Sequence, residues 1–191
     1  VHMADSLPLE TCQSVLISGG GVLGSLMAHV LRYKGIDKIL ITEPAEYKRN
    51  VLKELGFIVF SPDDLSSAMD EMAIGAFDAA IPCNPYSVSL IQSLKVLKPQ
   101  GVLGFFSGLT DFEGIDRDTI NLIHYKELYV KGTYGCGEKD TRKALEMLSG
   151  GLDISGIPIR EVRLEQAENI LRQTETDDSF ITMISYREEI L

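Results

Sequence analysis

The stretch Ser14-Val15-Leu16-Ile17-Ser18-Gly19-Gly20-Gly21-Val22-Leu23-Gly24 is a strand-length apolar run that breaks on glycines and passes directly into residues of helical period. The spacing Gly19-x-Gly21-x-x-Gly24 between a strand and a helix gives each glycine a task. Gly19 makes the tight turn, Gly21 lets a diphosphate approach the backbone, and Gly24 lets the helix lie close to the sheet. The first-turn amides, such as those of Val22 and Leu23, lack acceptors within the helix and stand at the positive end of its dipole, so they are candidate diphosphate donors. Over residues 22–34, Leu23, Met27, Val30 and Leu31 share one stripe, and Gly35 follows where a left-handed residue ends a helix.

Outward from this stretch, strand-length apolar runs alternate with helical segments up to residue 150. That rhythm specifies a parallel sheet with crossover helices. The expected strands are 14–18, 38–42, 57–60, 78–82, 102–107 and 128–133, most of them apolar nearly throughout, as strands covered on both faces are. A helix over 45–55 ends at Gly56, Ser61-Pro62-Asp63-Asp64 and Asn84-Pro85 each set a capping side chain before proline, and Lys98-Pro99-Gln100-Gly101 reads as a turn. A polar loop over 108–118 leads to a short helix at 119–124, and another helix spans 138–148. The last residues, with a helical segment at 164–171 and a strand at 180–186, leave this rhythm, so residues 4–150 are expected to form the main domain and 151–191 a less regular appendage.

Nineteen residues after Gly24, Glu43 ends the second strand, where a carboxylate accepts hydrogen bonds from ribose hydroxyls and repels a 2′-phosphate. NAD is therefore favoured over NADP, while Lys48 and Arg49 reach toward the same edge and weaken the preference. Cys83 and Asn84 end the fourth strand and Ser107 and Gly108 the fifth, at the carboxyl ends that face a cofactor crevice. Asn84 reads both as a helix cap and as a ligand, and Tyr134 both as a wall beside the nicotinamide and as core. His2, His29 and His124 have no partners at metal or triad spacing and read as structural; no catalytic or metal residue is assigned.

Composition narrows the classes. The 191 residues are 45% apolar and 24% charged, which suits one compact soluble domain rather than a disordered or fibrous chain. With 18 basic residues against 28 acidic ones and no basic patch, a nucleic-acid partner is excluded. Residues 161–191 hold eight acids against three bases, Arg163, Arg172 and Arg187, and read as a solvated face. No apolar run approaches the ~18 residues of a membrane span and no signal-peptide layout opens the chain, so a cytoplasmic protein is expected. Val1-His2-Met3 reads as a vector remnant, and Cys12, Cys83 and Cys136 are too scattered for a disulfide framework or a cysteine zinc site.

The order of these motifs resembles the cofactor-binding lobe of the medium-chain, zinc-type alcohol dehydrogenase family, near its polyol and threonine dehydrogenase branches. The resemblance rests on residues 15–24, Ile41-Thr42-Glu43-Pro44 with Lys48-Arg49, Glu54-Leu55-Gly56-Phe57, Leu97-Lys98-Pro99-Gln100-Gly101, Asn121-Leu122-Ile123-His124 and Val130-Lys131-Gly132-Thr133-Tyr134-Gly135. It implies a Rossmann-type, doubly wound, six-stranded parallel sheet of order 3-2-1-4-5-6, with a C-terminal segment returning toward a catalytic lobe. It also implies a homo-oligomer pairing through this lobe, and hydride transfer between a small alcohol or polyol and a nicotinamide cofactor, with zinc polarising the oxygen. Zinc is expected only in that other lobe, for which this sequence has no counterpart, so the chain reads as an excised NAD-binding domain, inactive by itself. Pro82-Cys83-Asn84 also stands where the family commonly has a Thr-Gly pair. Two other readings remain: an S-adenosylmethionine-dependent methyltransferase, which would carry an antiparallel final strand, and a non-catalytic NAD-binding regulatory module.

Overall fold

The computed structural model describes residues 1–173 and 180–185. In chain order it contains α1 (His2–Ser6), β1 (Ser14–Ser18), α2 (Val22–Tyr33), β2 (Lys38–Thr42), α3 (Glu46–Glu54), β3 (Ile58–Phe60), α4 (Leu65–Glu71), β4 (Phe77–Pro82), α5 (Ser87–Val96), β5 (Leu97–Phe105), α6 (Arg117–Tyr125), β6 (Tyr129–Gly132), α7 (Glu138–Ser149), β7 (Ile159–Arg163), α8 (Ala167–Gln173) and β8 (Ile181–Ser185). The first six strands form one sheet in the order β3-β2-β1-β4-β5-β6, every neighbouring pair parallel. The alternation of strands and helices predicts the parallel sheet, and the family resemblance implies this doubly wound Rossmann order. No described helix is long and apolar enough to cross a membrane.

Residues 1–154 form one compact unit and 155–191 another. In the second, β7 and β8 pair in parallel from Ile159 opposite Ile181 to Arg163 opposite Ser185. A 3-10 turn (Leu164–Gln166) and α8 occupy the segment expected to be helical. Tyr186, the expected end of the last strand, lies outside the described residues, as do Arg187 and several of the acids of that stretch.

In the first unit the side chains of β1 alternate between two covered faces. Leu16, with Leu40, Ala80 and Leu103 of the neighbouring strands, packs against Leu65 and Ala68 of α4 and Leu94 of α5. Ile17 lies on the opposite face under α2. All five β1 residues are buried, the apolar Val15, Leu16 and Ile17 between two serines that both find hydrogen-bond partners. The edge strand β6 differs, with Tyr129 and Val130 exposed. Of the residues read as a vector remnant, His2 and Met3 enter α1, where Met3 and Ala4 are buried and Asp5 is held 2.6 Å from both Lys34 Nζ and Lys143 Nζ.

Gly35 and Gly56 take positive φ (+87° and +75°) just past α2 and α3, as their positions predict. Two of the expected caps differ. Ser61 opens a 3-10 turn (Pro62–Asp64) without a side-chain hydrogen bond, and α4 proper starts at Leu65. Asn84 is not the cap of α5, which begins at Ser87. Asp111, from the loop after β5, accepts from the Ser87 amide at 3.3 Å and from the Ser87 hydroxyl, which leaves Asn84 to other partners. Lys98-Pro99-Gln100-Gly101 is assigned to β5 rather than to a separate turn. Phe77 pairs with Leu97 and Ala79 with Val102, so these four residues bulge opposite Asp78 alone, and Gln100 sits at φ +60° with its amide donating to the Lys126 carbonyl.

Helix α5 passes into β5 with no linker, and Lys126 Nζ donates to the carbonyls of Leu94 (3.1 Å), Lys95 (2.7 Å) and Leu97 (2.7 Å) at that join. At the same end of the sheet Asp78 Oδ2 accepts from the amides of Gln13 and Ser14 at 2.8 Å and from Ser14 Oγ at 3.0 Å, while Oδ1 pairs with Lys98 Nζ. Burial alone raises the Asp78 pKa, but the ammonium and these donors outweigh it and hold the carboxyl at about 2, against an ordinary 3.8. A pKa depressed by folding stabilises the protein above the ordinary value and ceases to do so as pH falls toward about 2. Asp78→Asn is expected to lower unfolding free energy by about 1–2 kcal/mol at pH 7 in urea denaturation, and the difference from the unaltered chain shrinks as the pH is brought down from 4 toward about 2.

Candidate functional site

The carboxyl ends of β1, β2 and β4 meet at one point. The Gly19 amide donates to the Thr42 carbonyl at 2.8 Å, the Cys83 amide to the Ser18 carbonyl at 2.7 Å, and Asn84 Nδ2 to the same carbonyl at 3.0 Å. Gly19 turns the chain at φ +103°, where a side chain is strained, and a Cβ there would sit 3.0 Å from Asn84 Nδ2. A Cβ on Gly24 would lie 1.8 Å from the Gly19 carbonyl oxygen, so α2 rests directly on the end of β1. A Cβ on Gly21, by contrast, meets nothing within 4 Å. The space beside Gly21, at the amino end of α2, is thus open, and the helix-dipole field there suits an anion.

Gly20, to which the motif assigns no task, is the glycine that sequence reasoning missed. Its amide donates to Glu43 Oε2 at 2.7 Å, and a Cβ on it would stand 2.6 Å from Leu52 Cδ1 and 3.1 Å from Glu43 Cβ. Glu43 is 6% exposed, and its other oxygen, Oε1, accepts from the Ala45 amide at 3.0 Å. Each carboxylate oxygen keeps further acceptor capacity after one backbone bond. Arg49 Nη1 donates to the carbonyls of Glu43 (2.9 Å) and Pro44 (2.5 Å), which ties α3 to the turn that carries the carboxylate.

A cavity of about 470 Å³ opens at these strand ends. Of the residues singled out in the sequence, Gly19, Gly21, Glu43, Lys48, Cys83 and Asn84 line it. Val22 and Gly24, in α2, are not part of its lining, Leu23 lines a separate hollow, and Arg49 is engaged with the backbone. Ser107, Gly108 and Tyr134 lie outside its lining; Tyr134 is 99% exposed, so it is not core. Asn84 Oδ1 accepts from the Tyr86 amide at 3.1 Å, which with the bond to Ser18 fixes its side chain at the cavity wall. Burial pushes the Cys83 thiol far above its usual range, so it stays protonated. The lining also includes Asp63 and Gln92, to which no local sequence signal pointed.

His29 is buried with Nδ1 2.7 Å from the Ser25 carbonyl, which can only accept, and edge-on to Phe57. Among the described residues no three of His, Cys, Asp and Glu come together to hold a metal ion.

A model of the zinc-binding dehydrogenase family matches residues 22–150. The chain belongs to this family. L-threonine 3-dehydrogenase of Idiomarina loihiensis is 28% identical over 97% of the chain and 52% of that protein, so the zinc-binding dehydrogenase chain described here spans about half the length of the curated relatives it matches. Two solved structures show the same fold. A zinc-binding dehydrogenase from Sinorhizobium meliloti 1021 bound to NADP has 22% identity and a TM-score of 0.78 over 96% of this chain and 55% of its own. A short chain alcohol dehydrogenase from Escherichia coli CFT073 complexed with NADH has 15% identity and a TM-score of 0.77 over 91% and 52%. The methyltransferase and regulatory-module readings are not favoured by these relatives, and β6, parallel to β5, is not the antiparallel strand that the former calls for.

The second and third glycines of the fingerprint can be told apart. Gly24→Ala is expected to abolish folding or cost more than about 3 kcal/mol, because backbone blocks the added methyl, whereas Gly21→Ala is expected to leave the melting temperature within about 2 °C; thermal unfolding of both variants by circular dichroism checks this.

Proposed function

We propose that this cavity binds the adenosine diphosphate half of a nicotinamide dinucleotide and prefers NAD to NADP. The observation that supports this most directly is the Glu43 carboxylate, fixed at the cavity by the amides of Gly20 and Ala45 with acceptor capacity to spare. A ribose diol supplies donors to it, and a 2′-phosphate meets its charge. Asp63 adds a second acid to the lining against the single base Lys48, and Arg49 is already engaged with carbonyls. Since relatives of this fold are found with NADP and with NADH, the choice rests on these side chains.

The residues that would hold the cofactor are the first-turn amides of α2 for the diphosphate and Glu43 for the sugar, with Gly21 leaving the approach clear. Cys83, Asn84, Ser107, Gly108 and Tyr134 stand at the carboxyl ends toward which the nicotinamide would extend. The nicotinamide ring supplies hydride acceptance and donation when bound. The whole protein, on this reading, is an oxidoreductase acting on a small alcohol or polyol, as the threonine and alcohol dehydrogenases it resembles do. The exposed edge of β6, with Tyr129 and Val130, supports self-association of that protein.

Thermal shift assays on the 191-residue chain test the cofactor. NAD at about 100 times its Kd adds about 2.7 kcal/mol, which raises the melting temperature by roughly 5–10 °C, and equal concentrations of NADP or S-adenosylmethionine are expected to raise it less. Glu43→Ala is expected to cut the preference for NAD over NADP by about tenfold. An unchanged ratio removes Glu43 from the site.

A further inference from the structure

We propose that Gln92, assisted by Asp63, selects the base of the bound dinucleotide, taking an amino-substituted purine in preference to one with a carbonyl at the same position. The inference rests on the reading of the cavity as a dinucleotide site and follows from the order of the strands. Going outward along β1, β2 and β3, the diphosphate position is at the end of β1 and the sugar position at the end of β2. The base is therefore directed toward the end of β3, where Pro62 and Asp63 follow the strand and α5 contributes Tyr86 at its amino end, Val88 and Gln92 to the same lining. Pro44, Pro62, Tyr86 and Val88 give this part apolar surfaces suited to a purine face.

The polar groups there are mainly acceptors. Gln92 Nε2 donates to the Pro62 carbonyl at 3.1 Å. That carbonyl can only accept, so it fixes which end of the amide faces it and leaves the Gln92 carbonyl oxygen as the group available to a ligand. Asp63 adds an exposed carboxylate, which when ionised also only accepts. Ser89 can adapt in either sense, and Lys48 is the one basic side chain of the lining. The exocyclic amino group of adenine brings two donors to this pair. A carbonyl oxygen in its place faces acceptors and loses its water without a partner.

Isothermal titration of the full 191-residue chain with NAD and with nicotinamide hypoxanthine dinucleotide, in which the amino group is replaced by a carbonyl, tests this. NAD is expected to bind at least about fivefold more tightly, and Gln92→Leu to bring the ratio to within about twofold of one. Asp63→Ala, at an exposed position that does not threaten folding, is expected to lower the ratio by about twofold or more and decides the matter if Gln92→Leu fails to fold. Equal binding of the two dinucleotides to the unaltered chain overturns base selection and leaves the dinucleotide site standing. An undiminished ratio in the folded variants overturns the assignment to Gln92 and Asp63. Failure of both dinucleotides to bind overturns this inference together with the reading beneath it.

Discussion

The first unit is organised by one steric constraint: α2 lies so close to the end of β1 that the Gly19 carbonyl occupies the space of a Gly24 side chain. Because no side chain separates helix from strand, the amino end of α2 is aimed at the crevice between β1 and β4 rather than past it. The turn needed to make that approach is supplied by Gly19 at positive φ, and the room in front of it by Gly21. A helix in the same sequence position but a few ångströms higher would carry the same unpaired amides without presenting them to anything.

A second constraint hangs on the first. Gly20 is squeezed between Leu52 and Glu43, and its amide is one of two that hold the Glu43 carboxylate. Turn and acid therefore position each other: the glycine loop fixes where the carboxylate stands, and the carboxylate satisfies a donor that the tight loop strands. Arg49 completes the arrangement by donating to the carbonyls of the two successive peptides Glu43–Pro44 and Pro44–Ala45. A buried acid and a neighbouring arginine, which read in sequence as two opposed voices in cofactor choice, turn out to be coupled through the main chain rather than through their charges.

Much of the fold was legible because its signals are local. The period of residues 22–34, the glycines at 35 and 56 and the apolar run of β1 each depend on neighbours within a turn or a strand, whereas the strand order came from the resemblance to a family and not from any local signal. What was not legible depends on residues distant in sequence. Asn84 looked like the cap of α5 because asparagine before proline commonly is one, but Asp111, more than twenty residues on, takes that role, and Asn84 is drawn to the Ser18 carbonyl across the sheet. The bulge at residues 98–101 reads locally as a turn, and only pairing with Phe77 and Ala79 places it inside β5. In the site, Glu43 was found from its distance to the glycines, whereas Gln92 and Asp63 reach the cavity from α5 and from the turn after β3, and neither carries a motif.

The join between α5 and β5 shows how the architecture restricts its own variation. The helix hands over to the strand without a spacer residue, and the carbonyls exposed by that abrupt change of direction converge on the single ammonium of Lys126. Inserting even one amino acid there would rotate the strand's alternation by half a period and scatter the three oxygens, so chain length at this point is frozen.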